Sequence, residues 1–125
     1  MMNKINTTKA PAAIGPYSQA VVFENLILTS GQIPIDPVSG EVVDNDITIQ
    51  AEQVMKNLEA VLHEAGSCFD QVLKTTCFLK NMEDFEKFNA TYSKYFTNKP
   101  ARSCVAVKQL PKDVLCEVEV IAVKN

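Results

Sequence analysis

Between Ile47 and Ala65, apolar residues recur every three or four positions, at Ile47, Ala51, Val54, Leu58, Val61, Leu62 and Ala65. That spacing is one face of an α-helix. A helix with so continuous a stripe needs an apolar surface to lie on, because helix propensity contributes little to its stability in water. Asp46 or Thr48 can cap its start, and Gly66 suits its exit. The rest of the chain must therefore supply a flat apolar partner.

The flanking segments read as strands. Tyr17 to Phe23 and Leu26 to Ser30 are short β-branched and apolar runs joined by Glu24-Asn25, the pattern of a hairpin. Ala10 to Pro16 carries prolines and a glycine and reads as an irregular arm. After Gly31, a loop marked by Pro34, Pro37 and Gly40 leads to the helix. Val72 to Leu79 is a third strand. Met82, Phe85, Phe88, Tyr92 and Tyr95 mark a second amphipathic helix over Met82 to Phe96, with Asn81 as its cap. Ser103 to Leu110 and Val114 to Val123 are strands on either side of a Pro111-Lys112-Asp113 turn. The order is ββαβαββ in one domain spanning residues 1–125, an α+β fold with a mixed sheet and two helices on one face. The other sheet face has nothing from this chain to cover it, which argues for oligomerisation.

Composition narrows the function. The 125 residues are 46% apolar and 22% charged, with a net charge of −3. That is the balance of one globular core. No basic stripe of the kind that grips nucleic acid is present. No apolar stretch has the length of a membrane span, and the polar stretch from Met1 to Ala13 lacks the apolar centre of a signal peptide, so the cytoplasm is the expected compartment. Cys68, Cys77, Cys104 and Cys116 show no CxxC spacing, which favours free thiols. One histidine, His63, and no His/Cys cluster argue against zinc; no glycine pattern indicates a nucleotide, so no cofactor is expected.

Few residues stand out as carriers of chemistry. Arg102, in Pro100-Ala101-Arg102-Ser103-Cys104, sits at the mouth of a strand among small residues. Its planar fork matches a carboxylate, although a solvated surface arginine fits the local sequence as well. Glu117 and Glu119 leave one face of the last strand between Leu115 and Ile121. They fit either a general base or a solvent-facing stripe. Cys104 shares strand parity with Arg102, but no base stands near it in the sequence, so a packed thiol is favoured over a nucleophile. Tyr17 and Ser30 bracket the first hairpin and either face a cleft or close strand-end hydrogen bonds.

These segments occur together in a familiar order. Ala10 to Gln19, Ser30-Gly31-Gln32-Ile33-Pro34, Pro100 to Val105, Leu110-Pro111-Lys112-Asp113 and Glu117 to Ala122 resemble the signatures of the RidA/YjgF family, as do Lys74-Thr75-Thr76 and Asn89-Ala90-Thr91-Tyr92. The resemblance covers nearly the whole chain. It implies a chorismate-mutase-like fold, a homotrimer with clefts between subunits, and hydrolysis of 2-imino acids or enamines to 2-oxo acids and ammonia. It implies that Arg102 binds the substrate carboxylate, that Glu117 activates water, and that Tyr17, Ser30 and Cys104 line the cleft with the backbone of Gly31. Regulatory carboxylate binding, holdase activity and endoribonuclease or translation-inhibitor activity are other roles found in the family. Ala106 and Cys116 depart from the family pattern, and the Thr97-Asn98-Lys99 link is short. The short link alters the cleft's rim and so bears on the substrate side chain.

Overall fold

The computed structural model describes residues 2–125. Strands β1 (Met2–Ile5), β2 (Ala20–Phe23), β3 (Leu26–Thr29), β4 (Val72–Leu79), β5 (Ala101–Ala106) and β6 (Cys116–Val123) form one sheet in the order β1-β2-β3-β6-β4-β5. All neighbours are antiparallel except β4 and β5. The parallel pair follows from the crossover through helix α2 (Phe85–Tyr95). Helix α1 (Ile47–Glu64) starts at Asp46, whose side chain accepts a hydrogen bond from the Ile49 amide.

Both helices cover one sheet face. Val54, Leu58, Val61 and Leu62 of α1 pack with Phe88 and Tyr92 of α2 onto Ile27, Cys77, Leu79, Val118 and Val120, all buried. Outside that core, Lys94 and Tyr95 of α2 both donate to Glu52 of α1. Along β6, Cys116, Val118, Val120 and Ala122 point into the core, while Glu117, Glu119 and Ile121 point to the uncovered face. Leu26 and Leu28 of β3 are also exposed there. The sheet thus has one dry face and one apolar but open face, as the alternation predicts.

Several expectations need correction. Strand β1 adds an element, so the order is βββαβαββ. Its two apolar residues, Met2 and Ile5, do not alternate with polar ones, and its side chains are mostly exposed, leaving no hydrophobic period to read. Met1 lies outside the described residues. Tyr17 to Gln19 precede β2 rather than belong to it, because Gly15 adopts φ 127° and the Gln19 side chain bonds backward into the arm. The second helix begins three residues late. Met82–Asp84 form a 3-10 turn, and Asn81 makes no capping bond. The fifth strand runs Ala101–Ala106 rather than Ser103 to Leu110, and the sixth starts at Cys116 rather than Val114.

Two buried amides on α1 tie the core to loops beside the open face. Gln50 and Asn57 are two helical turns apart on one face. The Gln50 side chain accepts from the Leu115 amide at 2.8 Å, fixing the entry to β6. The Asn57 amide donates to the carbonyls of Ile33 and Ile35, each at 3.0 Å, fixing the loop after β3.

Candidate active site

Glu117 owes its position to an irregularity between β3 and β6. Leu28 pairs with Ile121, and Gln32 then bridges Val118 through reciprocal backbone bonds of 2.8 and 3.2 Å. Four steps on the first strand therefore face three on the second, which is a bulge of one residue at Thr29 to Gly31. The Thr29 hydroxyl bridges the gap by accepting from the Val120 amide. The bulge brings Gly31 against Glu117 so closely that a Cβ on residue 31 would stand 1.9 Å from Oε2. Gly31 is required here by space, since its φ is not in the left-handed region.

Around this carboxylate, Tyr17, Ser30, Gly31, Ile33 and Pro111 enclose a cleft of about 370 Å³. The Ser30 hydroxyl donates to the Ser18 carbonyl, and the Ser30 amide to the Gln19 carbonyl. Gln19 is itself buried and bonds Thr7 and Pro11, so it clips the loop that carries Tyr17. Burial, and then the Glu119 charge two residues on, raise the Glu117 pKa above the ordinary carboxylate value. A base held partly desolvated in this way matches the requirement for proton transfer near neutral pH.

Arg102 lies elsewhere. It is registered opposite Thr75 on β4, and Cys104 opposite Cys77, so both point to the helix-covered face. Its Nη1 donates to Asn89 Oδ1 at 2.6 Å, and its guanidinium stacks 4.6 Å from the Tyr92 ring and 5.4 Å from that of Phe85. Asn89, Tyr92, Ser93, Phe96, Lys99 and Pro100 complete a cleft of about 480 Å³. Of the sequence-predicted residues, Tyr17, Ser30, Gly31 and Glu117 are brought together, and Arg102 and Cys104 form a second group. Within one chain, the two groups are on opposite faces of the sheet. Phe85, Asn89 and Tyr92 were missed as site residues. Their spacing of four and three puts them on one helix face, but it reads equally as core packing.

The thiols do not look like nucleophiles. Burial raises the Cys104 pKa more than neighbouring Arg102 lowers it, and pushes buried Cys77 to about 12. His63 is exposed on α1. Among the described residues, no group of three or more His, Cys, Asp or Glu is arranged to hold a metal, and no helix is long and apolar enough to cross a membrane.

The sheet, its helix-covered core and its two clefts define a class of small α+β proteins with a cleft on each side of one sheet. The family model described as Endoribonuclease L-PSP matches residues 7–124, and the chain belongs to this family, the RidA/YjgF family. The 2-iminobutanoate/2-iminopropanoate deaminase of Escherichia coli strain K12 is 49% identical, with all of both chains covered. A Lactococcus lactis protein named as a candidate regulator, AldR, is 59% identical, with 97% of each covered. Among solved structures, the YjgF gene product of Escherichia coli superposes with a TM-score of 0.93 at 48% identity, covering 98% of this chain and 99% of that one. Escherichia coli TdcF with bound serine gives the same TM-score at 40% identity and the same coverage.

Proposed function

We propose that this protein hydrolyses small 2-imino acids and their enamine tautomers, such as 2-iminobutanoate and 2-iminopropanoate, to 2-oxo acids and ammonia. The observation that carries the reading is Glu117, a half-buried carboxylate with a raised pKa, seated on Gly31 in a cleft open to solvent. The deaminase name of the Escherichia coli relative supports it. Arg102 supplies the complementary part, a guanidinium with donors left for a carboxylate after Asn89 takes one.

The chemistry needs only water and positioned groups. Arg102 holds the substrate carboxylate. Glu117 accepts a proton as water adds to the C=N carbon and passes it to the nitrogen, giving the neutral carbinolamine. Glu117 then takes the carbinolamine's hydroxyl proton as the C=O bond forms and the C–N bond breaks, and that proton goes to the departing nitrogen, which leaves as ammonia. Imines of this kind hydrolyse unaided, so a modest lowering of the barrier suffices. Cys104 contributes its small size and backbone. Because Arg102 and Glu117 face opposite sides of one sheet, they cooperate when Arg102 of one subunit meets Glu117 of the next. The apolar open face is the surface for that assembly, which we assign as a homotrimer in the cytoplasm.

The test is a coupled assay. A threonine dehydratase generates 2-iminobutanoate, a scavenger competes for it, and 2-oxobutanoate is followed. Arg102→Ala is expected to lower kcat/KM by about 100- to 1,000-fold. Glu117→Gln is expected to lower kcat by a similar factor. Rates equal to wild type in both variants would exclude the assignment. The AldR relative favours a second reading, a sensor of small carboxylates in the same Arg102 cleft. Binding of 2-oxobutanoate without any turnover by the wild-type protein would select it.

A further inference from the structure

We propose that Tyr92, pinned by Thr75, is the positioning residue that aims the Arg102 guanidinium. The proposal rests on the reading of Arg102 as a carboxylate anchor and explains how that anchor is held. Arg102 is exposed and lies on an edge strand, β5. A long side chain in such a place ordinarily samples many rotamers, and each one lost on binding weakens the ligand. Here the guanidinium lies 4.6 Å from the centre of the Tyr92 ring, so the ring face attracts the charge and fixes its plane.

The shelf is itself rigid. Tyr92 is 6% exposed and packs against Phe96, with centroids 4.4 Å apart, and against Phe88 at 6.0 Å. Its hydroxyl meets the Thr75 hydroxyl at 2.7 Å in the buried interior. Thr75 is wholly buried and is the register partner of Arg102 across the parallel pair. The contacts therefore close a circuit from Arg102 through strand pairing to Thr75, through a hydrogen bond to Tyr92, and through the ring back to Arg102. The Tyr92 hydroxyl points away from the cleft and is spent on Thr75, so the residue acts through Arg102 and donates no proton to substrate. Asn89 fixes rotation within the plane by taking Nη1. Tyr92 fixes the plane itself.

The experiment compares Tyr92→Phe, Tyr92→Leu and Thr75→Val with wild type in three readouts. These are KM and kcat on 2-iminobutanoate, the Kd for 2-oxobutanoate by calorimetry, and the ring-current shift of the Arg102 side-chain protons by NMR. Tyr92→Leu is expected to raise KM and Kd about 10-fold, to leave kcat within about twofold, and to leave only the weaker ring-current shift that Phe85 supplies. Tyr92→Phe keeps the ring but loses its bond to Thr75, and is expected to raise Kd about threefold with the shift reduced but still present, as Thr75→Val does. A Tyr92→Leu variant that is folded and has unchanged KM and Kd overturns the proposal, as does a Phe variant as impaired as the Leu variant. Should Tyr92→Leu not fold, Thr75→Val decides. It preserves core volume and frees the ring, so a raised Kd with a reduced shift supports the role, and no change in either overturns it. A wild-type protein that neither binds 2-oxobutanoate nor turns over the imine overturns the anchor reading of Arg102 instead.

Discussion

The Arg102 cleft is assembled from one helix and one edge strand, and its guanidinium lies against aromatic rings. The Glu117 cleft is assembled from a bulge in the middle of the sheet, and its carboxylate lies against bare backbone at Gly31. One holds a charge by attraction to a π-face and leaves it exposed. The other excludes water from part of its carboxylate, which disfavours the charge and raises the pKa. The contrast fits a division of labour in which the first cleft binds an anion and the second moves a proton. Each arrangement suits its task and would be poor at the other. A buried arginine would bind less readily, and a fully solvated glutamate would be a weak base at neutral pH.

Mixing subunits gives the largest effect and tests whether the two clefts work together. Arg102→Ala and Glu117→Gln homo-oligomers are each expected to be nearly inactive. If a site takes Arg102 from one chain and Glu117 from the next, an equal mixture refolded together regains about a quarter of wild-type activity by random assembly. No recovery above the parents would break the comparison, because it would mean that each cleft works without the other.

A smaller effect separates the clefts. Gly31→Ala places a methyl where the Glu117 carboxylate stands, and the backbone tolerates alanine, so the carboxylate must swing aside. We expect kcat to fall by roughly 100-fold, with the Kd for 2-oxobutanoate within about threefold of wild type. Comparable losses in both would show that Gly31 serves carboxylate binding as well.

The smallest effect concerns pH. The raised Glu117 pKa favours the neutral acid in the folded state. Its contribution to stability is therefore full below the unfolded carboxylate pKa and is lost as pH rises through the folded value. Activity follows the opposite course, rising as the base ionises. Glu119→Gln removes the like charge, so the acidic limb of the kcat/KM profile should move to lower pH, and the stability lost on raising pH should shrink. An unmoved limb would leave burial as the whole cause of the shift.

Legibility in the sequence followed the strength of the hydrophobic period. Helix α1 and strand β4 were readable to within a residue because their apolar faces are continuous. The alternation of β6 correctly set Glu117 on the open face. Strand β1 was invisible because Met2 to Ile5 is held by pairing with β2 and has almost no buried face of its own. The bulge at Gly31 was invisible for a related reason, since register is a relation between two strands and neither carries it alone. Arg102 and Glu117 stand out in the sequence as residue types, yet their placement on opposite faces depends on the parallel pairing of β5 with β4. Tyr92 was hidden by serving the core and the cleft at once, and Asn89 by resembling an ordinary amide on a helix surface.

The buried amides of Gln50 and Asn57 give the fold a conflict of interest. Measured by packing, both positions invite leucine, and a designer seeking heat resistance would change them first. Yet the Asn57 amide holds the loop whose Ile33 lines the Glu117 cleft, and the Gln50 amide holds Leu115, two residues before Glu117. A tougher version of this protein made that way would keep its shape and lose its aim.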